Sequence, residues 1–187
     1  MSVRISGGSA KGRKLLTSKR SGLRPTSGRV RGAIFSIIGV VAVEGRRVLD
    51  LYAGTGALGL EAISRGAEWV DFVESNQKQC YLLRSSIRET GFQGKAHVHQ
   101  AKVEKFLDEA QGEYDLVLMD PPYQMPGLED ILVKMGNSTM LKDEGVLVIE
   151  HSSRQSFQER YGRMGLVKSR RYGDTAVSIY AVGGSNG

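Results

Sequence analysis

The chain has 187 residues, 40% of them hydrophobic and 25% charged, which predicts one globular domain and excludes general disorder. One cysteine, Cys80, excludes a disulfide framework and a cysteine-rich zinc site, no apolar run approaches the roughly 18 residues of a membrane span, and the polar N-terminus lacks a secretory h-region. A cytoplasmic protein with no metal and no membrane partner is therefore expected.

The net charge of +6 is unevenly spread: residues 1–43 carry nine Lys/Arg and no acid, whereas residues 44–187 hold 17 basic and 20 acidic residues. A basic extension over 1–43 suits a polyanion, because each cation that neutralises a phosphate releases condensed counterion. An organelle transit peptide or a merely solvated cluster would share that composition. Within it, Arg4-Ile5-Ser6-Gly7-Gly8 and Gly12-Arg13-Lys14-Leu15-Leu16 read as a glycine-turned hairpin. After Pro25, the spacing of Val30, Ala33, Ile34, Ile37 and Ile38 predicts a helix capped by Thr26 or Ser27.

From residue 46 to 150 strands and helices alternate. The strands are Val48–Tyr52, Trp69–Glu74, a weaker Ala96–Gln100, Asp115–Met119 and Val146–Glu150. The helices are Ala57–Arg65, a segment from Ser75 or Asn76 to Gly91, Val103–Ala110 and Leu128–Met135. This predicts an α/β fold: a Rossmann-like, doubly wound, mostly parallel sheet. Leu166–Tyr172 and Ala176–Val182, joined across Gly173-Asp174, predict an antiparallel hairpin at a sheet edge, and 183–187 a flexible tail. The catalytic domain is assigned to 44–182.

Two motifs carry chemistry. Ala53-Gly54-Thr55-Gly56-Ala57-Leu58-Gly59 contains GxGxxG between a strand and a helix, and Glu74 ends the next strand, where a carboxylate can accept ribose hydroxyls. A nicotinamide dinucleotide and S-adenosylmethionine (SAM) both fit such a turn. Asp50, four residues before Gly54, would repel pyrophosphate but can meet a cationic sulfonium or amino group, which favours SAM. The second motif is Asp120-Pro121-Pro122-Tyr123, directly after a strand predicted to lie beside the first one. Its prolines fix the backbone and remove two N–H donors. A carboxylate and a carbonyl there can accept both hydrogens of an NH₂ group, and Tyr123 can stack on a planar base. His97 and His99 lack a third ligand at a recognisable spacing, and Cys80 and Trp69 read as packing residues.

These residues resemble the [Asn/Asp]-Pro-Pro-[aromatic] amino-methyltransferases of nucleic acids, and more closely the RsmD-type 16S rRNA guanine-N2 methyltransferases. The resemblance extends to Arg24-Pro25-Thr26, Arg29-Val30-Arg31, Val48–Ala62, Phe72–Glu74 and Tyr172–Thr175. It implies methyl transfer from SAM to a guanine amine in 16S rRNA, within a 30S particle or an assembly intermediate. It implies catalysis by Asp120, Pro121, Pro122 and Tyr123, and cofactor binding by Asp50, Ala53, Gly54, Thr55, Gly56, Glu74 and Val103. RNA would be held by Lys11, Arg13, Lys14, Arg24, Thr26, Arg29 and Arg31. Gly28 and Gly32 stand where the family usually has Asp and Glu, and Lys102-Val103 where it often has Asp-Ala, which leaves only backbone contact to the adenine.

Overall fold

The computed structural model describes residues 3–17, 27–110, 112–123 and 125–183; Arg24, Thr26 and the tail beyond Gly183 lie outside them. Among the described residues the elements are α1 (Gly28–Ile38), β1 (Arg47–Leu51), α2 (Ala57–Ser64), β2 (Trp69–Glu74), α3 (Gln77–Thr90), a short 3₁₀ turn, β3 (Ala96–Gln100), α4 (Val103–Glu109), β4 (Tyr114–Met119), α5 (Leu128–Asn137), β5 (Leu141–Ser152), β6 (Arg160–Tyr161), β7 (Met164–Tyr172) and β8 (Thr175–Val182). They build one sheet in the order β3-β2-β1-β4-β5-β8-β7-β6, parallel from β3 to β5 and antiparallel beyond. The expected doubly wound sheet and C-terminal hairpin are both present. The hairpin differs in one respect: β8 pairs with β5, so it lies inside the sheet and only β7 and β6 approach its rim. β5 begins at Leu141, five residues before the predicted start.

Side chains alternate across the strands and sort into two cores. Val48, Leu118 and Val148 face a layer of α1, α2 and α3, while Leu49, Leu51, Met119 and Ile149 face α4 and α5. Val3, Ile5, Leu15, Val30, Ile34 and Phe35 belong to the first of these cores. The change at residue 43 is thus one of charge and not of packing.

Helix ends follow local chemistry. Ser27 caps α1 by accepting from Val30 N–H, Asn76 caps α3 through Gln79 N–H, and Gly91 ends α3 in the left-handed region at φ 79°. The N-terminal hairpin, bridged at Arg4 and Lys14, lies over the C-terminal end of α2. There Ser9 N–H donates to the Ser64 carbonyl (2.7 Å) and Ala10 N–H to Ser64 Oγ (2.9 Å). A Cβ on Gly8 would fall 1.8 Å from that carbonyl, so the approach requires glycine.

Candidate active site

β1 and β4 are parallel neighbours with Leu51 beside Met119, so the segments after them, Tyr52–Gly56 and Asp120–Tyr123, leave the same carboxyl edge side by side. This is the crevice where doubly wound sheets bind ligands. Tyr52 adopts φ 60°, Gly54 φ 52° and Gly56 φ 74°, which turns the chain from β1 into α2 within a few residues.

In that turn Ala53 and Gly56 N–H donate to the Val73 and Ala53 carbonyls, and Gly54 N–H has a carboxylate partner. Gly54 N–H donates to Glu74 Oε2 (2.8 Å) and Asn76 N–H to Glu74 Oε1 (2.7 Å), so the acid is anchored at the lip of the turn. Asp50 lies beneath it, 1% exposed, and its Oδ2 accepts from Gly59 N–H (2.9 Å). Because Gly56 offers α2 no side-chain cap, Asp50 supplies the acceptor from the neighbouring strand. Asp50 is thereby held under the turn by the backbone of α2. A Cβ on Gly59 would meet Phe72 Cε1 at 2.3 Å and Asp50 Oδ2 at 2.9 Å, so this close packing depends on glycine.

Burial raises the Asp50 pKa well above the usual carboxylate range; the Gly59 N–H opposes that shift, and the charges of Asp120 and Glu74 add to it. The charges of Asp120 and Glu74 are thus felt beneath the glycine turn, a field that suits a cation and repels pyrophosphate. Ala53 and Val103 are buried beside this region, Val103 opening α4, and Thr55 is half-buried in the turn.

In the tetrad, Pro121 is buried and Pro122 exposed, and the Pro122 carbonyl accepts from Met125 N–H (3.1 Å). Tyr123 is 44% exposed, yet its hydroxyl lies 2.5 Å from Thr175 Oγ1 at the start of β8. That bond ties the ring to the C-terminal hairpin and leaves a face open. Next to it is a cavity of about 370 Å³, lined among others by Arg29 and Val30 of α1, Glu150, Arg171 and Thr175. A cavity of this size is in the range that holds small organic ligands.

The basic extension divides. Arg29 is exposed at the rim of this cavity. Lys11, Arg13 and Lys14 are exposed on the hairpin over the far end of α2 and α3, where Arg13 donates to the Glu89 carbonyl (3.3 Å). Arg31 overturns its expected role on RNA. It is 3% exposed, donates through Nε to Glu61 Oε2 (3.1 Å) and also bonds the Arg4 carbonyl. Glu61, fully buried, further accepts from Ser6 N–H (2.7 Å), Ser6 Oγ (2.8 Å) and Arg65 (2.9 Å). Arg31 is an internal cation that fastens α1 and the hairpin to α2.

Sequence reasoning missed Glu150, Arg171 and Thr175, which β5, β7 and β8 bring to the cavity. Glu150 had a signal: like Glu74, it is an acid following an apolar strand. His99 and His151 hold structural contacts. His99 bonds Asp71 (2.9 Å), while His151 is buried against Ser178 Oγ (2.9 Å) and the Ser152 carbonyl (2.9 Å).

Comparison with known proteins agrees with this geometry. The family described as "Conserved hypothetical protein 95" matches residues 3–181. The YlbH protein of Bacillus subtilis (strain 168) is 33% identical over 181 residues, 95% of this chain and 98% of that one. "Ribosomal RNA small subunit methyltransferase D" of Escherichia coli (strain K12) is 31% identical over 178 residues, 95% of this chain and 89% of that protein. The solved structure of yhhF from Escherichia coli superposes with a TM-score of 0.88 at 25% identity, over 99% of this chain and 100% of that one. A match along nearly the whole chain, with relatives above 30% identity over 95% of it, shows that this chain belongs to the "Conserved hypothetical protein 95" family, that of the RsmD-type methyltransferases.

Proposed function

We propose that this protein transfers a methyl group from SAM to the exocyclic N2 amine of a guanine in 16S rRNA, in the cytoplasm, on the 30S subunit or an assembly intermediate of it. The observation that carries the proposal is the pairing of the Asp120–Tyr123 tetrad with the glycine turn at one carboxyl edge. The printed name of the Escherichia coli relative supports rRNA as the substrate class.

Asp50, Ala53, Gly54, Thr55, Gly56, Glu74 and Val103 would hold the cofactor. They fit it better than a dinucleotide, since Gly54 and Gly59 already give their N–H groups to carboxylates and have none to spare for pyrophosphate. Glu74 spends two acceptor sites on backbone and keeps others for ribose hydroxyls, a carboxylate having about four. When bound, SAM supplies an electrophilic methyl group on a sulfonium cation.

The remaining work belongs to the chain. The Asp120 carboxylate and the Pro121 carbonyl accept the two amine hydrogens, oppose delocalisation of the lone pair into the ring and aim it toward the glycine turn. The Tyr123 ring, fixed through Thr175, stacks on the base. Asp120 or water takes the proton the amine sheds. Arg29 at the cavity rim, with Lys11, Arg13, Lys14, Arg24 and Thr26 of the extension, holds the RNA backbone.

Mass mapping of 16S rRNA from cells lacking the gene tests the proposal. One guanine should lose one N2-methyl group and regain it on complementation. Identical 16S rRNA in both strains, or a methyl lost from another base or another RNA, contradicts it.

A further inference from the structure

The cavity beside the tetrad contains a carboxylate that methyl transfer itself does not use. Glu150 ends the apolar part of β5, is 5% exposed and lines the cavity together with Tyr123, Arg29 and Thr175. In the β4–β5 register Met119 pairs with Ile149, so Glu150 stands beside Asp120, one parallel strand over, about 4.8 Å away in the pairing direction. Strand alternation sends Ile149 toward α4 and α5 and gives Glu150 the face of Val148, toward α1. Ser27, the N-cap of α1, and Arg29 and Val30 within it also line the cavity.

We infer that Glu150 is the residue that selects guanine, by accepting the ring N1–H that lies next to the amine held by Asp120. The inference rests on the methyl-transfer reading above and adds to it the source of base choice. Guanine presents two neighbouring donors on one edge, N1–H and the 2-amine. Adenine and cytosine place a lone pair next to their exocyclic amines. A carboxylate offers acceptors and no donor, so Glu150 pairs with the guanine edge and repels the other two. A site built around a hydrogen-bonding group discriminates strongly when that group is left facing the wrong partner. Arg29 and Arg171, both exposed and both lining the cavity, are placed for the phosphates flanking an extruded nucleotide.

The test uses 2-aminopurine, which keeps the 2-amine but has a lone pair at N1. Target RNA is prepared with guanine or 2-aminopurine at the nucleotide located by mass mapping, and kcat/KM is measured for wild type and Glu150→Gln, with SAM binding followed by calorimetry. Wild type should prefer guanine by about ten- to a hundredfold, the range for one hydrogen bond to a charged group. Glu150→Gln should shrink that preference at least tenfold at unchanged SAM affinity, because its amide can also donate to a lone pair. A preference equal to wild type, or an equal loss on both bases, overturns the role of Glu150. Wild type that methylates neither RNA defeats the functional reading itself, and the inference with it.

Discussion

In the proposed site, Asp50 and Glu74 would each serve both fold and ligand, and their contacts to backbone N–H groups are the fold's share. Burial raises the Asp50 pKa, so the folded chain keeps a proton that the unfolded chain releases. The resulting stability is fully present below the unfolded value and is lost as pH rises through the folded one. Asp50→Asn keeps an oxygen for Gly59 N–H and removes the group whose ionisation burial disfavours. Its melting temperature at pH 7 should equal or exceed that of wild type, while its SAM affinity falls; a lower melting temperature with unaltered affinity would contradict this division of roles. Glu74→Ala should weaken SAM binding by about 1–3 kcal/mol in calorimetry, the scale of a hydrogen bond to a charged group. His151 behaves in the opposite sense to Asp50. Burial lowers its pKa, with the Ser152 carbonyl opposing, so the folded protein holds it neutral where the unfolded chain would be protonated. That contribution is present above about pH 6.5 and is lost as pH falls through that value toward the folded pKa. The urea midpoint should therefore drop between pH 7.5 and 5, and His151→Gln should flatten the drop.

At the scale of elements, α1 carries two arginines with opposite duties, two residues apart. Arg31 points inward to Glu61, and Arg29 stands at the cavity rim. Arg31→Ala should cost about 3 kcal/mol in denaturant unfolding, since breaking a buried pair leaves an uncompensated charge. It should leave the salt dependence of RNA binding unchanged. Joint replacement of Arg29 and Arg171 by alanine should do the reverse: near-native stability, and a log–log salt slope smaller in magnitude by about 1.5. Equal salt slopes for this double variant and wild type would detach the rim from RNA. The sequence could not separate the two arginines. The Arg-Val-Arg spacing shows only that both are charged, and the inward turn of Arg31 depends on Glu61, thirty residues away on α2. Helix boundaries were legible for a simpler reason. Ser27, Asn76 and Gly91 act on backbone groups within three residues of themselves, so the cap and the capped lie in one short window.

Across the whole molecule, the alternation of strands and helices made the parallel half readable, because each crossover helix lies beside the strands it joins in sequence. The glycine turn, Glu74 and the Asp120 tetrad were legible on the same ground, each lying directly at the carboxyl end of a predicted strand. The substrate side was not. Its cavity depends on β8 entering the sheet next to β5, which carries Thr175 to Tyr123 and brings Arg171 into the same cavity lining as Arg29. The β5–β8 pairs run from Val146 with Ala181 to Ser152 with Thr175, and Tyr123 lies 52 positions from Thr175, so these contacts leave no local period. In the proposed reaction, the carboxyl edge of β1 and β4 joins a cofactor end to a catalytic end, each with its own residues. Single-turnover methyl transfer to 16S rRNA by Asp120→Ala, at saturating SAM, tests it most directly. SAM affinity should remain near wild type while the rate falls by about 10²–10³, the scale of removing one preorganised hydrogen-bonding group. Asp120→Asn, which keeps an acceptor oxygen, should fall less. Asp120→Ala transferring methyl as fast as wild type would contradict the account.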